Sequence, residues 1–89
     1  MMVKKGEKEK MKDEYYKVVG SFFKLKREHK GVSINDTASA MDHAKSWYYD
    51  IEIGRNRICL KECFEICEYL DTNMNELQEY LNNHYYNKK

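Results

Sequence analysis

Eighty-nine residues with a formal net charge of +1, no Pro and only four Gly make one small domain with a modest core, which helix packing or oligomerisation has to stabilise. The abundance of Lys, Glu, Asn, Leu and Tyr favours helices joined by short loops over a sandwich or barrel. No apolar run is long enough to cross a bilayer, and the Lys-rich start has no apolar stretch behind it to act as an export signal, so a cytoplasmic protein is expected.

Residues 1–10 (MMVKKGEKEK) are too polar to pack and read as a disordered extension. A single domain follows over 11–86, with a frayed tail at 87–89. From Met11 the residues Tyr15, Val18, Val19, Phe22, Phe23 and Leu25 recur at helical spacing. They predict one long helix from about Asp13 to His29, stopped near Gly31, with Lys24, Lys26, Arg27 and Lys30 on its outer face. Ser33 with Asp36 is a capping-box pattern. It opens a short helix from Ile34 to about Met41, with Thr37, Ala38 and Met41 inward. Asp42 and His43 fill a turn, and a third helix runs from Ala44 or Lys45 to Ile53 with Tyr48 and Ile51 inward. Two short helices this close must meet at a sharp turn, so the stretch from Ser33 to Gly54 reads as a helix-turn-helix.

Gly54 ends the third helix, and Arg55, Asn56 and Arg57 form an exposed basic loop. Ile58 to Leu70 predicts a fourth helix with Leu60, Cys63, Phe64, Ile66, Cys67 and Leu70 on a wide apolar stripe. Asn73 with Glu76 repeats the capping pattern and opens a fifth helix from Met74 to about Tyr85. Leu77, Tyr80 and Leu81 are its apolar side, and the end NHYYNKK is expected to fray. The fold class expected is therefore all-α, a compact five-helix domain.

Charge is unevenly spread. Residues 1–31 carry ten Lys/Arg against five Asp/Glu, 32–58 three against four, and 59–89 three against six. A chain basic at its front and acidic at its back can present one positive face to a phosphate backbone. Cys59, Cys63 and Cys67, odd in number, argue against structural disulfides. Strung along one helix without a CxxC pair, they are too far apart to share an ion, so no metal and no cofactor is expected. His29, His43 and His84 are scattered, and there is no nucleophile–base set or phosphate loop, so the chain does not read as an enzyme.

The residues also fall into a known order. Gly31, Ser33 and Ala38 give G-x-S-x-x-x-x-A. Ser46, Tyr48, Ile51, Glu52, Gly54 and Arg55 give S-x-Y-x-x-I-E-x-G-R, and Leu60 to Leu70 give L-x-x-C-x-x-I-C-x-x-L. Over roughly residues 19–81 this resembles the Cro/lambda-repressor-like (XRE-type) helix-turn-helix regulators of bacteria and phages.

The resemblance implies a five-helix domain that sets its third helix in the major groove of double-stranded DNA as a homodimer, most simply as a repressor of transcription. By position, base-edge contacts fall to Lys45, Ser46 and Tyr49, with Trp47 and Asp50 at the margins. Phosphate contacts fall to Ser33, Arg55, Asn56 and Arg57, with Lys24 and Arg27 from the first helix. The chain departs from the pattern at Ile34 (usually Gln), Thr37 (usually Leu), Asp42 (usually Gly), Ala44 (usually Ser) and Ile58 (usually Pro). Asp tolerates the left-handed backbone such a turn needs. Trp47 and Tyr49, on the outward face, either press on DNA or hold another protein. In the second case the scaffold is a protein-binding module, such as an inhibitor or co-regulator from a phage or mobile element, or an antitoxin.

Overall fold

The computed structural model describes residues 5–87, with side chains from Glu14 onward. Residues 1–4 and 88–89 lie outside the described residues, and with them the first four residues of the expected extension and the last two of the expected tail. The described chain is all-α: α1 Lys5–Lys30, α2 Ile34–Ala40, α3 Lys45–Glu52, α4 Leu60–Tyr69 and α5 Met74–Leu81, followed by a π-helical turn Asn82–Tyr86. α1 thus begins well before the expected Asp13 and takes in residues 5–10.

Several helix ends are set by a local device. Gly31 closes α1 at φ 77°, its N–H reaching Arg27 O (3.0 Å) and that of Val32 reaching the same carbonyl (3.3 Å). Ser33 Oγ accepts from Asp36 N at 2.9 Å and Asp36 Oδ2 accepts from Ser33 N at 3.4 Å, the reciprocal box that starts α2. Thr37 is fully buried, yet its hydroxyl donates to Ser33 O at 2.9 Å, so the polar residue is satisfied within its own turn. Asp42 takes the left-handed conformation (φ 61°) between α2 and α3, and His43 N returns to Ala38 O at 2.9 Å. Gly54, at φ 82°, closes α3. Asn73 Oδ1 accepts from Glu76 N at 2.9 Å and starts α5.

The core forms where α1, α3, α4 and α5 converge on Phe22, Phe23, Tyr48, Ile51, Ile66 and Leu77, each at most 4% exposed. α1 lies so close to α3 that a Cβ at Gly20 would collide with the carbonyl oxygens of Ile51 and Glu52. α5 is tied back to α1: Tyr80 Oη and Ser21 Oγ are 2.9 Å apart, and the Tyr80 ring packs 5.4 Å from that of Phe22. The aromatic side of α5 is therefore used within the chain.

Three expectations need correction. The C-terminal stretch does not fray at Asn83. It winds into the π-helical turn because Tyr85 packs edge-on against Tyr15, with ring centroids 5.2 Å apart. The wide apolar stripe of α4 is narrower than expected, since Cys63, Ile66 and Cys67 are buried while Leu60 is 66% and Phe64 54% exposed. Cys59 is not on the helix face but at the N-cap of α4, exposed. Cys63 Sγ lies 3.5 Å from Met74 Sδ, and its thiol together with burial pushes the Cys67 thiol well above the usual range. Cys67 is thus a packed, protonated, inert thiol.

Gly20 offers a test. Gly→Ala in a helix interior normally stabilises by about 1 kcal/mol. Here the collision with α3 should reverse the sign, and Gly20→Ala is expected to destabilise the chain by roughly 2–3 kcal/mol in urea unfolding. An unchanged or raised midpoint would contradict the close α1–α3 approach.

Candidate nucleic-acid interface

The surface to weigh is α3 with the turn before it and the loop after it. α3 is sharply two-sided: Tyr48, Ile51 and Glu52 are buried, whereas Lys45, Ser46 and Tyr49 are exposed, Tyr49 by 48%. Lys45 and Tyr49 are one turn apart and Ser46 lies between them on the same face. The inner face is what orients the outer one. Tyr48 is fully buried, and burial, with the Glu52 carboxylate next, pushes its phenol far above the usual range, so it stays protonated. Ala44 occupies the N-cap of α3 and makes no side-chain cap. The first-turn N–H groups are thus left without a side-chain partner at the end where an anion is favoured.

The marginal residues are more constrained than spacing alone implied. Trp47 does not stand out from α3. It is half-buried and stacks on His43, with ring centroids 3.7 Å apart and planes 10° from parallel. His43 Nε2 in turn sits 3.9 Å from Glu62 Oε2 on α4. Asp50 is half-buried, and its carboxylate lies 3.8 Å from Arg55 Nη1. The backbone N–H groups of Arg55 (2.8 Å) and Asn56 (3.0 Å) both donate to Asp50 O, and Asn56 Nδ2 reaches Trp47 O at 3.4 Å. Asn56 is therefore a fastener that holds the loop to α3. Arg55 is 74% exposed at its side chain, and Arg57 is exposed, with its guanidinium 5.9 Å from the Tyr16 ring centroid. Ser33 is exposed, but its hydroxyl is engaged in capping α2.

The first helix contributes less than its charge implies. Arg27, expected on the outer face as a phosphate contact, turns inward. Its Nε donates to Glu52 Oε2 at 2.6 Å, its Nη2 to Glu52 Oε1 at 3.3 Å, and its Nη1 to Val32 O at 3.0 Å. The two side chains are only 11% and 4% exposed, and the hydrogen bond to Glu52 raises the guanidinium pKa above its ordinary value. Lys26 pairs with Glu76 on α5 at 2.8 Å, which holds that exposed carboxyl below the usual glutamate range. The contribution is present above the usual range and is lost as pH falls through the lowered pKa of Glu76. Lys30 donates to Tyr69 O, sits 4.2 Å from the Tyr69 ring centroid and lies 3.7 Å from Asp71. Of the expected α1 contacts only Lys24 remains exposed.

Sequence reasoning missed His43 as the plate under Trp47 and Tyr16 as the seat of Arg57. The four-residue spacing of His43 and Trp47 was a usable signal, whereas Tyr16 and Arg57 meet only through the fold. Among the described residues no group of three or more His, Cys, Asp or Glu is placed to hold a metal ion, and no helix is long and apolar enough to cross a membrane. Comparison with protein-family models, curated proteins and solved structures found no match.

Arg27→Met is expected to cost about 3 kcal/mol of unfolding free energy, because it leaves Glu52 buried and unpaired. A loss under about 1 kcal/mol, the scale of a surface pair, would put Arg27 back on the surface as a candidate phosphate contact.

Proposed function

We propose that this chain is a small DNA-binding regulator of transcription of the helix-turn-helix kind, with α3 as its reading helix and two copies acting on one site. The observation that carries the reading is the division of α3. One face is locked into the core by Tyr48, Ile51 and the Glu52–Arg27 pair, and the other offers Lys45, Ser46 and Tyr49 to solvent. A helix held from behind by a left-handed turn at Asp42, with donors in front, can lie in a major groove. Lys45 has the donor for guanine, and the Tyr49 ring can lie on a thymine methyl. Arg55 and Arg57 supply phosphate contacts beside it, and the uncapped start of α3 favours an anion.

A second reading, a protein-binding module on the same scaffold, is favoured by one observation. Lys26, Arg27 and Lys30 are committed to internal partners, which leaves the exposed surface less cationic than the sequence implies. In that case the Tyr49 side of α3 takes a protein.

The two readings separate in one experiment, selection from random duplex DNA followed by anisotropy titration against salt. The first predicts an enriched motif and affinity that falls steeply with salt. Lys45→Ala should relax preference at one base pair by about 1–3 kcal/mol, and Arg55→Ala and Arg57→Ala should each lower the salt slope by about one with little change in preference. If no motif is enriched at low salt, the DNA reading is wrong. Tyr49→Ala should then abolish capture of a protein partner.

A further inference from the structure

Leu60 and Phe64 stand one turn apart on α4, 66% and 54% exposed, on a helix whose Cys63, Ile66 and Cys67 are buried. Beyond Phe64 lies a hollow lined by Cys67, Thr72 and Met74. Charges flank this stripe on one side: Lys61, 3.3 Å from Glu65, and the exposed Glu68. We propose that this face of α4 docks a second copy of the chain, with the two α4 helices antiparallel across a two-fold axis at Phe64.

The charge pattern selects the occupant and its direction. At about 100° per residue, Lys61 and Glu68 are seven apart and lie on the same side of the Leu60–Phe64 stripe, one turn before and one turn after Phe64. A two-fold axis perpendicular to α4 and lying in the contact plane reverses order along the helix but keeps the side. Lys61 of each copy then faces Glu68 of the other, and each Leu60 comes over the other copy's hollow. A parallel pairing, about an axis along the helices, would put the two Lys61 on opposite sides of the stripe and the two Glu68 likewise, so that no Lys61–Glu68 pair forms across the contact. The acidic Glu65 and Glu68 beside the stripe disfavour a nucleic acid here. α5 offers no competing apolar face, because Tyr80 is engaged by Ser21 and Phe22. The inference extends the two-copy part of the proposed function, and its test is made without DNA so that either can fail alone.

Sedimentation equilibrium of the full chain at micromolar concentrations, under reducing conditions so that Cys59 cross-links do not count, should give a dimer. Phe64→Asp should give a monomer with unchanged helical circular dichroism and melting, since Phe64 lies outside the core. Lys61→Glu should weaken the dimer by at least about tenfold, and the double reversal Lys61→Glu with Glu68→Lys should restore most of it. A monomeric wild-type chain, a Phe64→Asp chain that stays dimeric, or a double reversal no better than the single one overturns the proposal. A Phe64→Asp monomer that still binds a DNA half-site in anisotropy supports both readings separately. A dimer of this kind that binds no DNA supports the interface and sinks the DNA reading.

Discussion

The seam between α1 and α3 is the constraint on which the rest of the domain depends. At Gly20 only the missing side chain lets α1 approach the last carbonyls of α3, and at Gly54 a Cβ would strike the Lys17 backbone. Glycine is needed on both sides of one contact, once for space and once for space together with a positive φ. The Arg27–Glu52 pair then closes the same seam at its far end. A buried ion pair is a weak source of net stability but a strong source of register, since any slip leaves a charge without its partner. With the inner face of α3 fixed this tightly, the direction of its outer face follows.

The same seam explains how cations are distributed. A front half rich in lysine and arginine invites the reading that α1 is a positive surface, yet three of its cations, Lys26, Arg27 and Lys30, are used to bind elements together. Lys26 holds α5, Arg27 holds α3, and Lys30 holds the end of α4 and the residues after it. The long stems cover apolar surface while the heads find carboxylates on α3, on α5 and just after α4. Around α3, Lys45, Arg55 and Arg57 stay exposed to an outside anion, and Lys17 and Lys24 do so on α1.

What was legible in the sequence was what local physics decides. The boxes at Ser33–Asp36 and Asn73–Glu76, the stops at Gly31 and Gly54, and the left-handed residue at Asp42 each involve groups a few positions apart. The buried pair Tyr48 and Ile51 followed from period alone. Features that depend on a neighbour brought in by the fold were not readable. Arg27 looks like any surface arginine until Glu52 arrives from α3. Trp47 looks like a free aromatic until His43 is laid beneath it. The last residues look frayed until Tyr15 receives Tyr85. Phe64 falls on the apolar stripe of α4 but outside the core, because helical spacing gives a stripe and not how much of it the other helices reach. In the candidate interface, Lys45, Ser46 and Tyr49 keep their expected exposure, because their inward neighbours were already fixed by the period.

The stack of His43 on Trp47 also makes the molecule its own reporter. Trp47 is the single tryptophan of the chain, so indole emission comes from one place, the junction of the α2–α3 turn with the outer face of α3. An imidazole against the ring and an exposed α3 surface beside it make that emission sensitive to whatever settles on the turn or prises it apart. Of the eight tyrosines, Tyr48 and Tyr49 follow the indole directly on α3, whereas Tyr15, Tyr16, Tyr85 and Tyr86 gather where α1 meets the C-terminal turn. Excitation passed from tyrosine to the indole therefore comes first from α3 itself, and the emission tracks the packing of that helix with no label added.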